Sequence, residues 1–402
     1  MCGIAGYLEL NSPGKSHLEN IYSMISVLDH RGPDDSDVWI EANSGIALGH
    51  SRLSIIDLSE AGRQPMTSSC GRYVITYNGE IYNADQLRQE LLTRNRVFRG
   101  HSDTEVILEG CACWGIEKTL ERLIGMFAFG IWDKNKRELI LVRDRLGIKP
   151  LYWSFKKGIF LFGSELKALR QVPSFDPTIN RSAVISYLRH NCIGGGDSIY
   201  QSTHKLLPGH VLRFTRGKDP EVRSYWKLED AVSNGKMYRF DGSDDEAVNA
   251  LESILEDAVK LRMVSDVPIG AFLSGGIDSS TVVALMQKSS LSKVRTFSIG
   301  FENADYNEAV HASAVAQHLN TDHTELYVSS QQARDVIPKL AQIYDEPFAD
   351  SSQIPTYLVS SLTRKHVTVS LSGDGGDELF GGYNRYIQAQ TMMRLFWSLP
   401  AA

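Results

Sequence analysis

Ile269-Gly270-Ala271-Phe272-Leu273-Ser274-Gly275-Gly276-Ile277-Asp278-Ser279-Ser280 reads as a short apolar strand, a glycine turn and the hydroxyl-bearing start of a helix. In a strand–turn–helix of this kind the backbone N–H groups at the helix start face whatever anion the turn admits. The construction returns downstream: the apolar stretch Val367–Leu371 runs into Ser372-Gly373-Asp374-Gly375-Gly376-Asp377-Glu378. Around these two loops, strand patterns at Val294–Gly300 and Thr324–Val328 alternate with helical patterns at Ser279–Gln287, Asn307–Leu319, Gln331–Ala341 and Thr356–Arg364. Alternation predicts an α/β domain, a doubly wound parallel sheet covered by helices, with ligands at the carboxyl ends of strands where strand order reverses. The two loops are then candidates for the walls of one crevice.

The first loop is no Walker loop. Asp278 stands where Gly-Lys-Ser/Thr would place a cation, so a metal ion must mediate between carboxylate and phosphate, and Asp278 with Asp377 makes a plausible Mg²⁺ pair. A lone Gly/Ser/Asp turn is as often only a turn; two of them after strands of one sheet favour a site.

Upstream, Ser243-Asp244-Asp245-Glu246 is a capping box, and Ala247, Leu251, Ile254, Leu255, Ala258 and Leu261 fall on one face of the helix it opens. Residues 226–242, mixed and polar, read as a linker. From Gly3 to about Phe214 the pattern changes to short strands broken by turns, with Val74–Tyr77, Met126–Trp132, Leu139–Arg143 and Ile159–Gly163 as strands, Asp133–Arg137 as a hairpin loop, and Ser16–Leu28 and Asp85–Leu92 as helices. The expected domains are therefore 1–225, an α+β sandwich, and 243–402, the α/β domain.

Composition supports two soluble globular domains: 402 residues, 42% hydrophobic, 22% charged, net charge -6. The negative balance argues against a nucleic-acid partner. No apolar run reaches membrane-spanning length and the N-terminus lacks signal-peptide character, so the expected location is cytoplasmic. Five cysteines form no disulfide framework. Cys111 and Cys113 lie in Thr104–Leu123, whose apolar positions suit a helix, so packing is favoured over metal binding.

Cys2 follows the initiator methionine in Met1-Cys2-Gly3-Ile4-Ala5-Gly6. Removal of Met1 would put a thiol and a free α-amine on one residue, a nucleophile with its own base, since an α-amine titrates near ~8. Taken alone, a cysteine at this position carries little weight; the downstream motifs decide.

Ser-Gly-Gly-Ile-Asp-Ser-Ser at 274–280 resembles the PP-loop of ATP pyrophosphatases. Cys2–Gly6, Arg31-Gly32-Pro33-Asp34, His50-Ser51-Arg52-Leu53-Ser54-Ile55-Ile56-Asp57, Asn78-Gly79-Glu80-Ile81-Tyr82-Asn83 and Ser102-Asp103-Thr104-Glu105 resemble, in order and spacing, the N-terminal-nucleophile (Ntn) glutaminase domain of glutamine-hydrolysing asparagine synthetases, and the PP-loop half resembles their synthetase domain. The resemblance implies an Ntn hydrolase sandwich followed by a PP-loop domain. It implies Cys2 as nucleophile and Asn78 and Gly79 as oxyanion donors. Glutamine would be bound by Arg52, Leu53, Ser54, Ile55, Ile56, Asn78, Gly79, Glu80 and Asp103. Arg52 offers a fork for the α-carboxylate, and Asp103 with the Glu80 region accepts from the α-ammonium. ATP would be held by Phe272, Ser274, Gly276, Asp278, Ser279, Ile299, Ser372 and Gly373, with Mg²⁺ on Asp278 and Asp377. The partners implied are L-glutamine, ATP and a carboxylate, L-aspartate in that family, with a shielded route for ammonia and a homodimer as the assembly to test for. Arg143–Tyr152 and Gly163–Leu169 also match and are expected to shape an interface rather than do chemistry.

Two departures stand out. Asp374 occupies the position of a glutamate credited with adenylate chemistry, which withdraws the carboxylate by about one bond length, ~1.5 Å. The sequence also ends soon after the second loop, where family members continue, so a partial synthetase domain is expected.

Overall fold

The computed structural model describes residues 1–10, 16–301 and 307–398. Contacts divide the chain into two compact units: Met1–Asp241 with Pro338–Ser351, and Gly242–Ile337 with the chain from Ser352 on. The α/β portion is thus not contiguous in sequence. Within the first unit, Lys167 N donates to Asp345 Oδ2 at 2.7 Å, Ile199 N donates to Glu346 Oε2 at 3.2 Å, and Lys205 pairs with Glu346.

The first unit contains β1 (Gly3–Glu9), β2 (Asp35–Glu41), β3 (Ile46–Arg52), β4 (Met66–Thr67), β5 (Tyr73–Ile81), β6 (Gly125–Asp133), β7 (Glu138–Arg143), β8 (Tyr152–Lys156), β9 (Ile159–Gly163), β10 (Thr203–Lys205), β11 (His210–Thr215) and β12 (Glu221–Ser224). They form two six-stranded sheets, β10-β8-β9-β1-β3-β2 and β12-β11-β7-β6-β5-β4. Period-two alternation sorts their side chains. Ile4 and Leu8 of β1 join Leu48, Val74, Trp132, Leu141 and Phe162 in one core, while Ala5 and Tyr7 face Ile21, Met24 and Ile25 of the helix Ser16–Ser26. On the other sheet, Ile75, Tyr77, Phe127 and Phe129 pack against Leu87, Leu91, Val106 and Ile107 from the helices Ala84–Thr93 and Asp103–Trp114. The result is helix, sheet, sheet, helix.

Two expectations here are corrected. The single helix over Thr104–Leu123 is broken into Asp103–Trp114 and Ile116–Arg122 by Gly115, whose φ of 86° ends the first helix in a conformation that side-chain-bearing residues rarely adopt. Cys111 sits in the core at 2% exposure. The polar linker also contains a helix, Leu228–Met237, exposed throughout; Glu229 and Asp230 in its first turn and Lys236 in its last complement the helix dipole.

The second unit holds β13 (Ile269–Phe272), β14 (Arg295–Phe301), β15 (Asp322–Val328) and β16 (Val369–Leu371), all parallel, in the order β15-β14-β13-β16. The chain steps outward from β13 to β15 and then returns to the opposite side of β13, so strand order reverses between β13 and β16. Both glycine loops leave the carboxyl ends of those two strands. The helix Asp244–Arg262 carries its capping box: Ser243 N donates to Glu246 Oε2 at 2.8 Å and Glu246 N to Ser243 Oγ at 3.3 Å. Its expected apolar face is covered only in part. Val259, Leu255 and Met263 join the core, while Leu251 and Ile254 are 40% and 67% exposed. The helix predicted over Gln331–Ala341 is two, Ser330–Arg334 and Ile337–Ile343, the second carrying Pro338 in its first turn, where a missing N–H is tolerated.

Candidate active sites

Cys2 immediately precedes β1, whose first residue Gly3 pairs with Ser51 of β3. That register sets Cys2 beside the residue following β3: Leu53 N donates to Cys2 Sγ at 3.4 Å, and Sγ lies 3.6 Å from Leu53 O. Burial pushes the thiol pKa up, opposed by the Leu53 N–H and the terminal amine. Burial also dominates at the α-amine of Met1 and drives it down from 8.0 to about 5.

Arg31 fixes the backbone of the same residue. Its Nε donates to Cys2 O at 2.9 Å and its Nη1 to Glu165 Oε1 at 2.6 Å.

Asn78 lies on β5 at 1% exposure, and its Nδ2 has no hydrogen-bond partner among the described residues. A buried amide donor left unpaired costs about 1–3 kcal/mol. A Cβ on the adjacent Gly79 would sit 2.3 Å from Met126 O, so the strand pair β5–β6 admits only glycine there. Asp103, 6% exposed, accepts from Tyr77 Oη at 2.6 Å and Ile81 N at 2.9 Å; burial raises its pKa against these bonds. Asp103 acts electrostatically on Cys2, as Glu80 does on the terminal amine.

Arg52, expected as a substrate fork, spends part of its guanidinium on the protein. Nη1 donates to Ser59 O at 3.2 Å and Nη2 to Asp57 O, so Arg52 anchors the loop that follows it as well as offering its remaining N–H groups. Leu53, Ser54, Ile55 and Ile56 form the half-buried first part of that loop, and Ser54 N donates to Asp34 Oδ2 at 2.8 Å. Asp57 closes it: fully buried, with φ 58°, it accepts from His101 N at 2.8 Å and from Ser59.

Sequence reasoning gave no chemical role to Arg31, Asp34, Asp57 or Lys149, although all four stood inside quoted motifs, Lys149 in the Arg143–Tyr152 stretch expected to shape an interface. Lys149, 4% exposed, brings its Nζ to 3.0 Å from Met1 Sδ. A lysine in a buried turn between two strands was the available signal.

In the second unit, a cavity of about 170 Å³ opens at the carboxyl end of the sheet, with Phe272, Ser274 and Ile299 in its lining. Glu308 and Thr356 also line it, which the sequence did not anticipate. The first loop closes on itself: Ser274 N donates to Ser279 Oγ at 3.2 Å, Gly276 N to Ser274 Oγ at 3.3 Å, and Gly275 has φ 82°. The second loop touches it. A Cβ on Gly373 would lie 2.7 Å from Ser279 N, and one on Gly376 would lie 2.3 Å from Asp278 Oδ2. Ser372 Oγ donates to Asp374 Oδ2 at 2.9 Å. Gly276, Asp278, Ser279, Ser372, Gly373 and Asp377 therefore belong to two abutting loops beside the cavity rather than to its lining.

A cysteine next to the amino terminus, set on a helix–sheet–sheet–helix sandwich and followed by a parallel sheet with a glycine loop at its switch point, defines a glutamine amidotransferase of the Ntn class joined to a PP-loop domain. Residues 1–226 match the glutamine amidotransferase domain and residues 250–402 match asparagine synthase. A putative glutamine-hydrolysing asparagine synthetase 2 of Methanocaldococcus jannaschii is 41% identical over 98% of this chain and 77% of its own length. The glutamine-hydrolysing asparagine synthetase 1 of Bacillus subtilis is 36% identical over 96% of this chain, and a putative asparagine synthetase of Mycobacterium tuberculosis is 35% identical over all of it. This chain spans 59% and 63% of those two proteins. The chain belongs to the family of glutamine-hydrolysing asparagine synthetases.

Proposed function

We propose that the protein transfers the amide nitrogen of L-glutamine to an ATP-activated carboxylate, with L-aspartate as the acceptor and L-asparagine, L-glutamate, AMP and diphosphate as products. The observation that carries the first half is the buried, unpaired Asn78 Nδ2 in the unit where Leu53 N–H is aimed at Cys2 Sγ. After removal of Met1, the Cys2 thiol gives its proton to its own α-amine as sulfur attacks the glutamine side-chain carbonyl. Asn78 Nδ2 and Gly79 N–H take the charge that develops on oxygen. Ammonia leaves with the proton, and water releases glutamate from the thioester. Arg52 holds the α-carboxylate, Asp103 and Glu80 the α-ammonium, and Leu53 to Ile56 the wall between them.

The second half rests on the cavity and its two loops. Phe272 and Ile299, with Ser372 and Gly373, would enclose adenosine, while Ser274, Gly276 and Ser279 face the phosphates with hydroxyl and N–H groups. The family reading implies Mg²⁺, and the donor set fits: carboxylate oxygens of Asp278 and Asp377 on abutting loops are hard ligands that phosphate oxygens and water can complete. Bound there, the ion would neutralise phosphate charge. Asp374, which accepts from Ser372 Oγ, would handle the acceptor carboxylate, and a sugar acid in place of L-aspartate is the second reading. A cytoplasmic setting and a homodimer belong to the same proposal. No described helix is long and apolar enough to cross a membrane.

Glutamine, ATP and Mg²⁺ supplied with a panel of carboxylic acids test the whole. Asparagine formed in step with AMP supports the proposal, an amide of another acid redirects it, and glutamate released without AMP confines the activity to the first unit.

A further inference from the structure

We propose that Asp57 is a positioning residue of the glutamine site: its buried carboxylate docks the loop that carries the Arg52 fork onto the turn that carries Asp103, and so sets the span between the groups for the α-carboxylate and the α-ammonium. The inference rests on the reading of Arg52 and Asp103 as those two groups, and goes beyond it in assigning what holds them in register.

On the Arg52 side, Asp57 is engaged through both its backbone and its side chain. Its carbonyl accepts from Arg52 Nη2, and its Oδ1 accepts from Ser59 N at 3.2 Å and from Ser59 Oγ. Ser59 O in turn accepts from Arg52 Nη1 at 3.2 Å, so guanidinium, carbonyls and carboxylate close on one another over residues 52–59. A Cβ on Gly62 would lie 2.2 Å from Arg52 Nη2 and 2.5 Å from Asp57 O, which packs the following turn directly on this set. Asp57 also holds φ 58°, a left-handed conformation that a residue with a side chain keeps only where its surroundings enforce it.

On the Asp103 side, Asp57 Oδ2 accepts from His101 N at 2.8 Å, two residues before Asp103. That turn is fixed from the helix side as well. Glu105 accepts from Arg99 N on Oε1 at 2.9 Å and from Gly100 N on Oε2 at 3.1 Å, and Arg88 donates to Gly100 O and Ser102 O, both at 2.9 Å. Ser102 caps the helix that Asp103 opens, its Oγ accepting from Glu105 N at 3.4 Å, and Asp103 itself is bound by Tyr77 Oη and Ile81 N. Gly100 gives the carboxylate its room: a Cβ there would lie 2.1 Å from Asp57 Oδ2. A carboxylate with no exposed surface thus spends one oxygen on each segment, donors that offset the cost of burying its charge. Glutamine carries its α-carboxylate and α-ammonium on a single carbon, so both are held only when the two segments are in register. A ligand with one of the two groups does not need that register.

The test is a pair of affinities from steady-state glutamine hydrolysis: KM for L-glutamine, and the inhibition constant of glutaramate, which keeps the carboxylate and the amide but has no α-ammonium. Asp57→Asn keeps the size of the side chain and tolerates the left-handed backbone, but its single acceptor oxygen leaves an amide N–H facing a backbone N–H on one of the two segments. It should raise KM for L-glutamine about tenfold, with kcat and the glutaramate constant kept within about threefold. Gly100→Ala, whose Cβ drives the carboxylate off His101 N, should give the same pattern from the opposite segment, and is read in its place if Asp57→Asn does not fold. An unmoved KM in a folded variant overturns the inference. So does a fall in kcat with KM kept, or an equal loss of affinity for L-glutamine and glutaramate, which would make Asp57 a general shape element. Arg52→Ala separates the two levels. An unmoved KM for L-glutamine in that variant sinks the reading of the glutamine site, whereas a raised KM there beside unmoved Asp57→Asn and Gly100→Ala sinks only this inference.

Discussion

Arg31 Nε donates to the backbone carbonyl of Cys2 at 2.9 Å while Arg31 Nη1 is bound to Glu165, so the proposed nucleophile is fixed to a side chain from the loop before β2. A hydrogen bond from a charged donor is worth about 1.5–3 kcal/mol. Arg31→Ala should lower kcat for glutamine hydrolysis roughly ten- to hundredfold by loosening Cys2. Arg31→Lys should recover little, because one ammonium does not span both acceptors as a planar fork does. Steady-state kinetics on both variants check this; full activity in Arg31→Lys would speak against the positioning role.

Glu165 sets an acid limit on the same arrangement. Burial alone would raise its pKa, but His30, Arg31 and Lys167 more than offset that and bring it from 4.5 to about 2. With the folded pKa below the unfolded one, the stabilisation is complete above about pH 4.5 and disappears as pH falls toward 2. The urea midpoint of Glu165→Gln should lie below that of the unsubstituted protein at neutral pH, and the gap should close between pH 4.5 and 2. A gap independent of pH in that window contradicts the assignment.

Asn78 carries a donor with no partner among the described residues, and removal of one oxyanion donor costs roughly 10²–10³ in kcat. Asn78→Ala should show that loss with KM for glutamine within a few-fold. Because the unpaired Nδ2 also disappears, its thermal midpoint should hold or rise, a combination that a merely structural asparagine would not give.

The sandwich and the parallel sheet were legible because periodicity is local: Ile4 and Leu8 face one way and Ala5 and Tyr7 the other whatever the rest of the chain does. The switch point was legible for the same reason, since strand, glycine turn and helix start are contiguous at both loops. Other features depend on the path of a non-periodic loop or on distant chain. Nothing near Arg52 shows that carbonyls of Asp57 and Ser59 claim part of its guanidinium, and Lys149 meets Met1 only because the sheets bring residues 148 positions apart together. The exposure of Leu251 and Ile254 is likewise invisible to a helical wheel, which reports an apolar face but not what covers it. Gly115 was readable in principle, as a helix-ending glycine in a run otherwise apolar enough to continue.

Gly373 should be intolerant of any side chain. Its Cβ would meet Ser279 N at 2.7 Å, backbone that cannot yield without parting the two loops. Gly373→Ala should weaken ATP binding about tenfold or more, measured by nucleotide titration, with glutamine hydrolysis in the other unit retained. Unchanged ATP affinity would separate the second loop from the nucleotide.

Intact-mass analysis of the purified protein, before and after a glutamine-mimicking electrophile such as a diazoketone, reaches the central assignment most directly. Loss of the initiator residue, a single adduct on the new amino-terminal cysteine and no glutamate release afterwards are expected. An active enzyme that still carries Met1, or an adduct elsewhere that abolishes activity while Cys2 stays unmodified, would contradict it.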